Sequence, residues 1–123
     1  MNAKSVESIA GVLREYNEIK YAYLFGSQAS DSAGPLSDVD IAVYVSPKPA
    51  PDFLLDLYAK LSPLLKKNEI DIVNLADPTV SSLLKYNIVT QGVLLFEREP
   101  YHLKSIPSIL NNYFDEQLFF THD

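Results

Sequence analysis

Between Ser5 and Ile19 the apolar residues Val6, Ile9, Val12, Leu13 and Tyr16 return at steps of three and four, which predicts a helix with one apolar stripe. Gly11 inside it is a weak point, since glycine is a poor helix former. The run Tyr21-Ala22-Tyr23-Leu24-Phe25 predicts a short buried strand, cut off by Gly26-Ser27. Residues 28–37 carry almost no large apolar side chain and read as a loop or a single helical turn. From there the period changes to two. Val39, Ile41, Val43 and Val45 face one way, and Asp38, Asp40, Ala42 and Tyr44 the other. Pro47, Pro49 and Pro51 end that strand. Asp52 is placed to cap a helix holding Phe53, Leu54, Leu57, Tyr58 and Leu61, which Ser62-Pro63 kinks or stops. Ile70, Ile72 and Val73 predict another strand, with Asp71 pointing away from Ile70 and Ile72. Asp77-Pro78 reads as the start of a helix and Gly92 as its end, and Val93 to Phe96 as a last short strand.

Helices alternating with strands place the chain in the α/β class, with helices packed on a small sheet. The helix between the strands at 38–45 and 70–75 permits a parallel crossover, so those two strands are expected to be neighbours. At 123 residues the chain is expected to form one domain. The absence of cysteine excludes disulfides, thiolate metal sites and cysteine nucleophiles. No stretch reaches the ~18 apolar residues of a membrane span and no signal-peptide core opens the chain, so a cytoplasmic protein is expected. Ten basic residues against sixteen acidic ones give a net charge of −6. That sign argues against direct binding of nucleic acid and suits metal ions or a basic protein partner.

The chemistry concentrates in Gly26-Ser27, a ten-residue gap, and Asp38-Val39-Asp40. Two aspartates two apart on a strand share a face, and Asp71 can join them if the strands pair as expected. Carboxylates about 6 Å apart at an effective dielectric near 20 repel by roughly 3 kcal/mol per pair. A hard divalent cation relieves that repulsion, and an all-oxygen donor set points to Mg²⁺ with phosphate oxygens completing its shell. Gly26 lets a phosphate approach the backbone without a β-carbon in the way, and the Ser27 hydroxyl can donate to it. Each piece has an ordinary reading: Gly-Ser as a turn, Asp-X-Asp as a solvated strand face, Asp71 as a partner of Lys66 or Lys67. Their conjunction carries the assignment.

That conjunction resembles the nucleotidyltransferase superfamily of DNA polymerase beta, and within it the minimal nucleotidyltransferase (MNT) branch, including antitoxins paired with HEPN-domain ribonuclease toxins. The matching residues are Phe25-Gly26-Ser27, Ser37-Asp38-Val39-Asp40-Ile41-Ala42-Val43 and Ile70-Asp71-Ile72-Val73-Asn74-Leu75, with Gly92-Val93-Leu94-Leu95-Phe96 similar to a closing strand. The resemblance spans roughly residues 5–97. It implies the nucleotidyltransferase fold, a small mixed sheet with helices against it, in a domain at 1–98. It also implies catalytic and metal-binding roles for Asp38, Asp40 and Asp71, phosphate binding by Gly26 and Ser27, Mg²⁺ as cofactor and ATP as substrate. The implied reaction is AMP transfer to a tyrosine hydroxyl of a HEPN toxin, within a hetero-oligomer and with no membrane association. One departure is that Gln28-Ala29-Ser30-Asp31 stands where many members carry a run ending in Arg-Gly. Lys85 is a candidate to replace that arginine, its ordinary reading being a solvated charge on a helix.

Residues 99–123 form a tail expected to be helical, either part of the same domain or a docking segment for a partner. It carries Tyr101, Leu103, Ile106, Ile109, Leu110, Tyr113, Phe114, Leu118, Phe119 and Phe120. His102 reads as a helix-surface residue and His122 as a frayed end. Two rival functions remain beside the enzyme: a non-catalytic antitoxin acting by steric occlusion, and transfer onto a small molecule, for which the chain leaves little room for a pocket.

Overall fold

The computed structural model describes residues 3–26, 38–65 and 69–121, the last three of these by backbone alone. The first element, α1, runs Ala3–Arg14 and buries Ile9, Ala10 and Leu13. It is shorter than the apolar periodicity suggests. The chain tightens through bonds from Glu15 N–H to Val12 O (3.1 Å) and Tyr16 N–H to Leu13 O (3.2 Å), and Ile19 already belongs to the first strand. Ile19 is paired with Val45 there, so sheet pairing overrides its place on the helical stripe.

The remaining elements follow the predicted order: β1 Ile19–Phe25, β2 Val39–Val45, α2 Phe53–Leu61, β3 Ile70–Asn74, α3 Ser82–Gln91, β4 Val93–Glu97 and α4 Tyr101–Thr121. Residues 28–37, expected as a loop or turn, lie outside the described residues. A 3-10 turn at Ser62–Leu64 ends α2 where Ser62-Pro63 was expected to stop it. Asp52 does not cap α2 with its side chain: at φ −93° and ψ 6° it makes no such bond. An extended backbone is what carries a capping oxygen to the next free N–H groups. Likewise α3 begins after Asp77-Pro78. The Asp77 carboxylate is taken by the N–H and hydroxyl of Thr79 at 2.9 and 2.8 Å. Ser81 caps α3 instead, accepting from Leu84 N–H at 3.1 Å.

The four strands form one mixed sheet in the order β3-β2-β1-β4. β1 is antiparallel to both neighbours, whereas β2 and β3 are parallel, as the intervening α2 requires. Helices cover both faces. On one, Leu24, Val39, Ile41, Val43 and Val45 pack with Ile9 and Leu13 of α1 and Leu57 and Leu61 of α2. On the other, Tyr21, Tyr23 and Ala42 pack with Ile88 of α3. There α4 is fastened by bonds from Tyr21 Oη to Ser105 Oγ and from Tyr23 Oη to His102 Nε2, both 2.6 Å. His102 is therefore no surface residue: its other ring nitrogen meets Glu97 Oε2 at 2.6 Å. Among the described residues no helix is long and apolar enough to cross a membrane.

Candidate active site

Alternation along β2 sends Val39, Ile41 and Val43 into the layer under α1 and α2, so Asp40 shares the opposite face with Ala42 and Tyr44. Ala42 is fully buried beneath α3. Asp40, one step nearer the strand's beginning, is only half-buried. Register then assembles the rest. Phe25, the last residue of β1, pairs with Asp40, and Asp40 stands beside Asp71 across the parallel ladder. Asp38, exposed and two residues before Asp40, precedes the strand on the same side; Asp71 is also exposed.

Gly26 closes the arrangement. Its φ is +73°, a left-handed conformation open to glycine and strained for other residues. A β-carbon there would lie 2.2 Å from Asp40 Oδ2, so the Asp40 carboxylate sits directly against the glycine backbone. The sequence motif announces both residues but not this contact.

The Asp40 carboxyl is pushed above its ordinary value, first by burial and then by the negative charges of Asp71 and Asp38. In-register neighbours about 5 Å apart repel by roughly 3 kcal/mol at an effective dielectric near 20, and by less where water screens them. Among the described residues no three carboxylate or imidazole side chains are gathered closely enough to hold a metal ion together, so Asp38, Asp40 and Asp71 do not converge as a three-carboxylate site. Mg²⁺ is held by one or two carboxylates and completed by waters and phosphate oxygens, and the in-register pair Asp40 and Asp71 is what the sheet brings together. An all-oxygen donor set with unrelieved mutual repulsion fits such an ion.

Ser27 lies outside the described residues, as do Lys66 and Lys67. Lys85 is not a neighbour of the carboxylates. It lines a cavity of about 720 Å³ with Tyr44 and Leu75, four residues along β2 and β3 from Asp40 and Asp71, or about 13 Å of strand. Burial lowers its ammonium, and Asp77 opposes that shift. That cavity and the acidic cluster thus occupy opposite ends of one sheet.

Residues 7–101 match the family model described as polymerase beta, nucleotidyltransferase. Among solved structures, a chain of a toxin–antitoxin with AMP-PNP is 26% identical, with a TM-score of 0.77 over 91% of this chain and 89% of that one. A chain from a complex of tri-AMPylated Shewanella oneidensis HEPN toxin with MNT antitoxin is 25% identical, with a TM-score of 0.74 over 95% and 90%. The toxin–antitoxin MntA-HepT gives 25% identity and a TM-score of 0.73 over 94% and 90%. No curated protein sequence matches the chain.

Proposed function

The chain belongs to the polymerase beta nucleotidyltransferase family, and from that premise we propose that it is an MNT antitoxin that transfers AMP from ATP to a tyrosine hydroxyl of a cognate HEPN toxin. The observation that carries this reading is the side-by-side register of Asp40 and Asp71 with Gly26 pressed against the Asp40 carboxylate. Further support comes from two similar structures, one holding AMP-PNP and one containing a tri-AMPylated HEPN toxin.

Asp40, with Asp38 and Asp71 as its acidic neighbours, would hold Mg²⁺, which supplies charge neutralisation to the triphosphate. The space a side chain would fill at Gly26 is taken by the Asp40 carboxylate, and the backbone N–H groups of the turn with the Ser27 hydroxyl would donate to phosphate oxygens. The phenol oxygen of the acceptor attacks the α-phosphorus in line, and the bond from that phosphorus to the pyrophosphate oxygen breaks. Asp71 either ligates the metal or takes the phenol's proton, and pyrophosphate carries away the displaced electron pair. A phenol, with a pKa near 10, gives up its proton more readily than an alkyl alcohol.

The test is to mix the protein with ATP, Mg²⁺ and a HEPN-domain toxin from the same organism, and to weigh the acceptor intact by mass spectrometry. The expected result is a gain of AMP on a tyrosine, abolished by Asp38→Ala with Asp40→Ala. Transfer at the wild-type rate by that double variant would overturn the residue assignment. Neutralisation of the toxin without any gain in mass would make the protein an occluding partner instead.

A further inference from the structure

The helix α4 is apolar along two separate lines. One comprises His102, Ser105, Ile106, Ile109 and Tyr113. This is the buried side: Ile109 is 7% exposed, and the Tyr113 ring stacks on Tyr86 of α3 with centroids 4.0 Å apart. The other comprises Leu103, Pro107, Leu110, Phe114 and Leu118, at steps of four, three, four and four. At 100° per residue this second line sits about 120° round the helix from the first and runs for about 23 Å. Its two ends face outward, with Leu103 70%, Phe114 50% and Leu118 67% exposed, while Leu110 is half-buried and the Phe114 ring meets Tyr86 of α3 edge-on. The core needs only one apolar stripe from a surface helix. A second one, at the spacing by which helices pack into grooves, marks a docking surface.

We infer that the line Leu103–Pro107–Leu110–Phe114–Leu118 is the surface on which the acceptor protein docks, and that this partner presents an apolar helix or groove with a basic rim. Charge selects the occupant. This chain carries −6, and Lys104 is the one basic residue within α4. A second copy would bring like charge to like charge, whereas a basic partner is drawn in. The inference rests on the reading that the substrate is a protein, and adds where that protein is held.

The experiment measures binding of the HEPN protein without ATP, so that docking is read apart from transfer. The triple variant Leu103→Gln, Phe114→Gln, Leu118→Gln is expected to stay folded with a melting temperature lowered by a few degrees, because the Phe114 ring also packs edge-on against Tyr86 and Tyr113. It should bind the HEPN protein at least about 100-fold more weakly. Leu55→Gln, at a position 73% exposed on α2, should bind as wild type. Unchanged affinity of the triple variant overturns the inference. So does a homodimer of the isolated wild-type protein that the triple variant dissolves, because the stripe would then hold a second copy. Should the single variant Phe114→Gln keep its fold where the triple does not, its affinity decides the matter. Failure of AMP transfer with binding intact bears on the enzymatic reading alone.

Discussion

Gly26→Ala separates the catalytic geometry from the fold. An alanine at φ +73° costs about 1–2 kcal/mol of backbone strain, offset by about 0.4–1 kcal/mol because the unfolded chain loses freedom too. The net loss is about 1 kcal/mol, or roughly 4 °C in melting temperature for a domain of this size. With a native stability in the range of about 5–15 kcal/mol, the variant stays folded. The new β-carbon would stand 2.2 Å from Asp40 Oδ2, so the carboxylate must retreat by about 1 Å to restore van der Waals contact. A displacement of about 1 Å at a reacting centre costs about 100-fold in rate, equivalent to about 2.7 kcal/mol of barrier. The assay pairs thermal melting with the initial rate of AMP addition, read by intact mass. Gly11→Ala is the control: nothing lies within 4 Å of its added β-carbon. In α1 it should stabilise by about 1 kcal/mol and leave the rate alone. Transfer by Gly26→Ala within twofold of wild type would refute the role given to the Gly26–Asp40 contact.

Three further outcomes follow from named contacts. The Asp40 carboxyl is raised in the folded state by burial and by Asp71 and Asp38, so its ionisation costs stability as pH climbs from the unfolded value through the folded one. Asp40→Asn should therefore match wild type in acid and exceed it in stability at neutral pH, measured by denaturation across pH. The Arg98 guanidinium donates to the carbonyls of Arg14 (2.7 Å), Tyr16 (3.3 Å) and Ile19 where α1 gives way to β1. Arg98→Ala should lose about 2 kcal/mol in urea titration, and a loss below about 0.5 kcal/mol would deny that role. Tyr23→Phe removes the bond to His102, and should speed amide exchange in the first turns of α4 at a cost of about 1 kcal/mol.

Much of this was legible from periodicity. The switch to alternation at Val39 set Asp38 and Asp40 opposite the apolar residues before any neighbour was known, and the burial of β2 follows it except at Ala42, which α3 covers. The isoleucines flanking Asp71 did the same for β3: Ile70 and Ile72 pack on the core beneath α1 and α2 while Asp71 is exposed. Boundaries were less legible, because local signals compete. Ile19 fits a helical stripe as well as a strand, and its pairing with Val45 decides between them. Asp77 could cap a helix, but Thr79 takes its carboxylate first. The partners of His102 could not be read locally, since Tyr23 lies 79 residues away.

By its own order of residues, this chain determined what each segment is and which side of it is apolar, because side-chain period and the freedom of glycine act over a few residues. Tertiary structure alone decided that Asp71 stands beside Asp40 and that the Asp40 carboxylate rests on Gly26. It also decided which of the two apolar lines of α4 is buried. Those outcomes depend on sheet register and helix docking, which balance burial over the whole core, so no local window of sequence contains them.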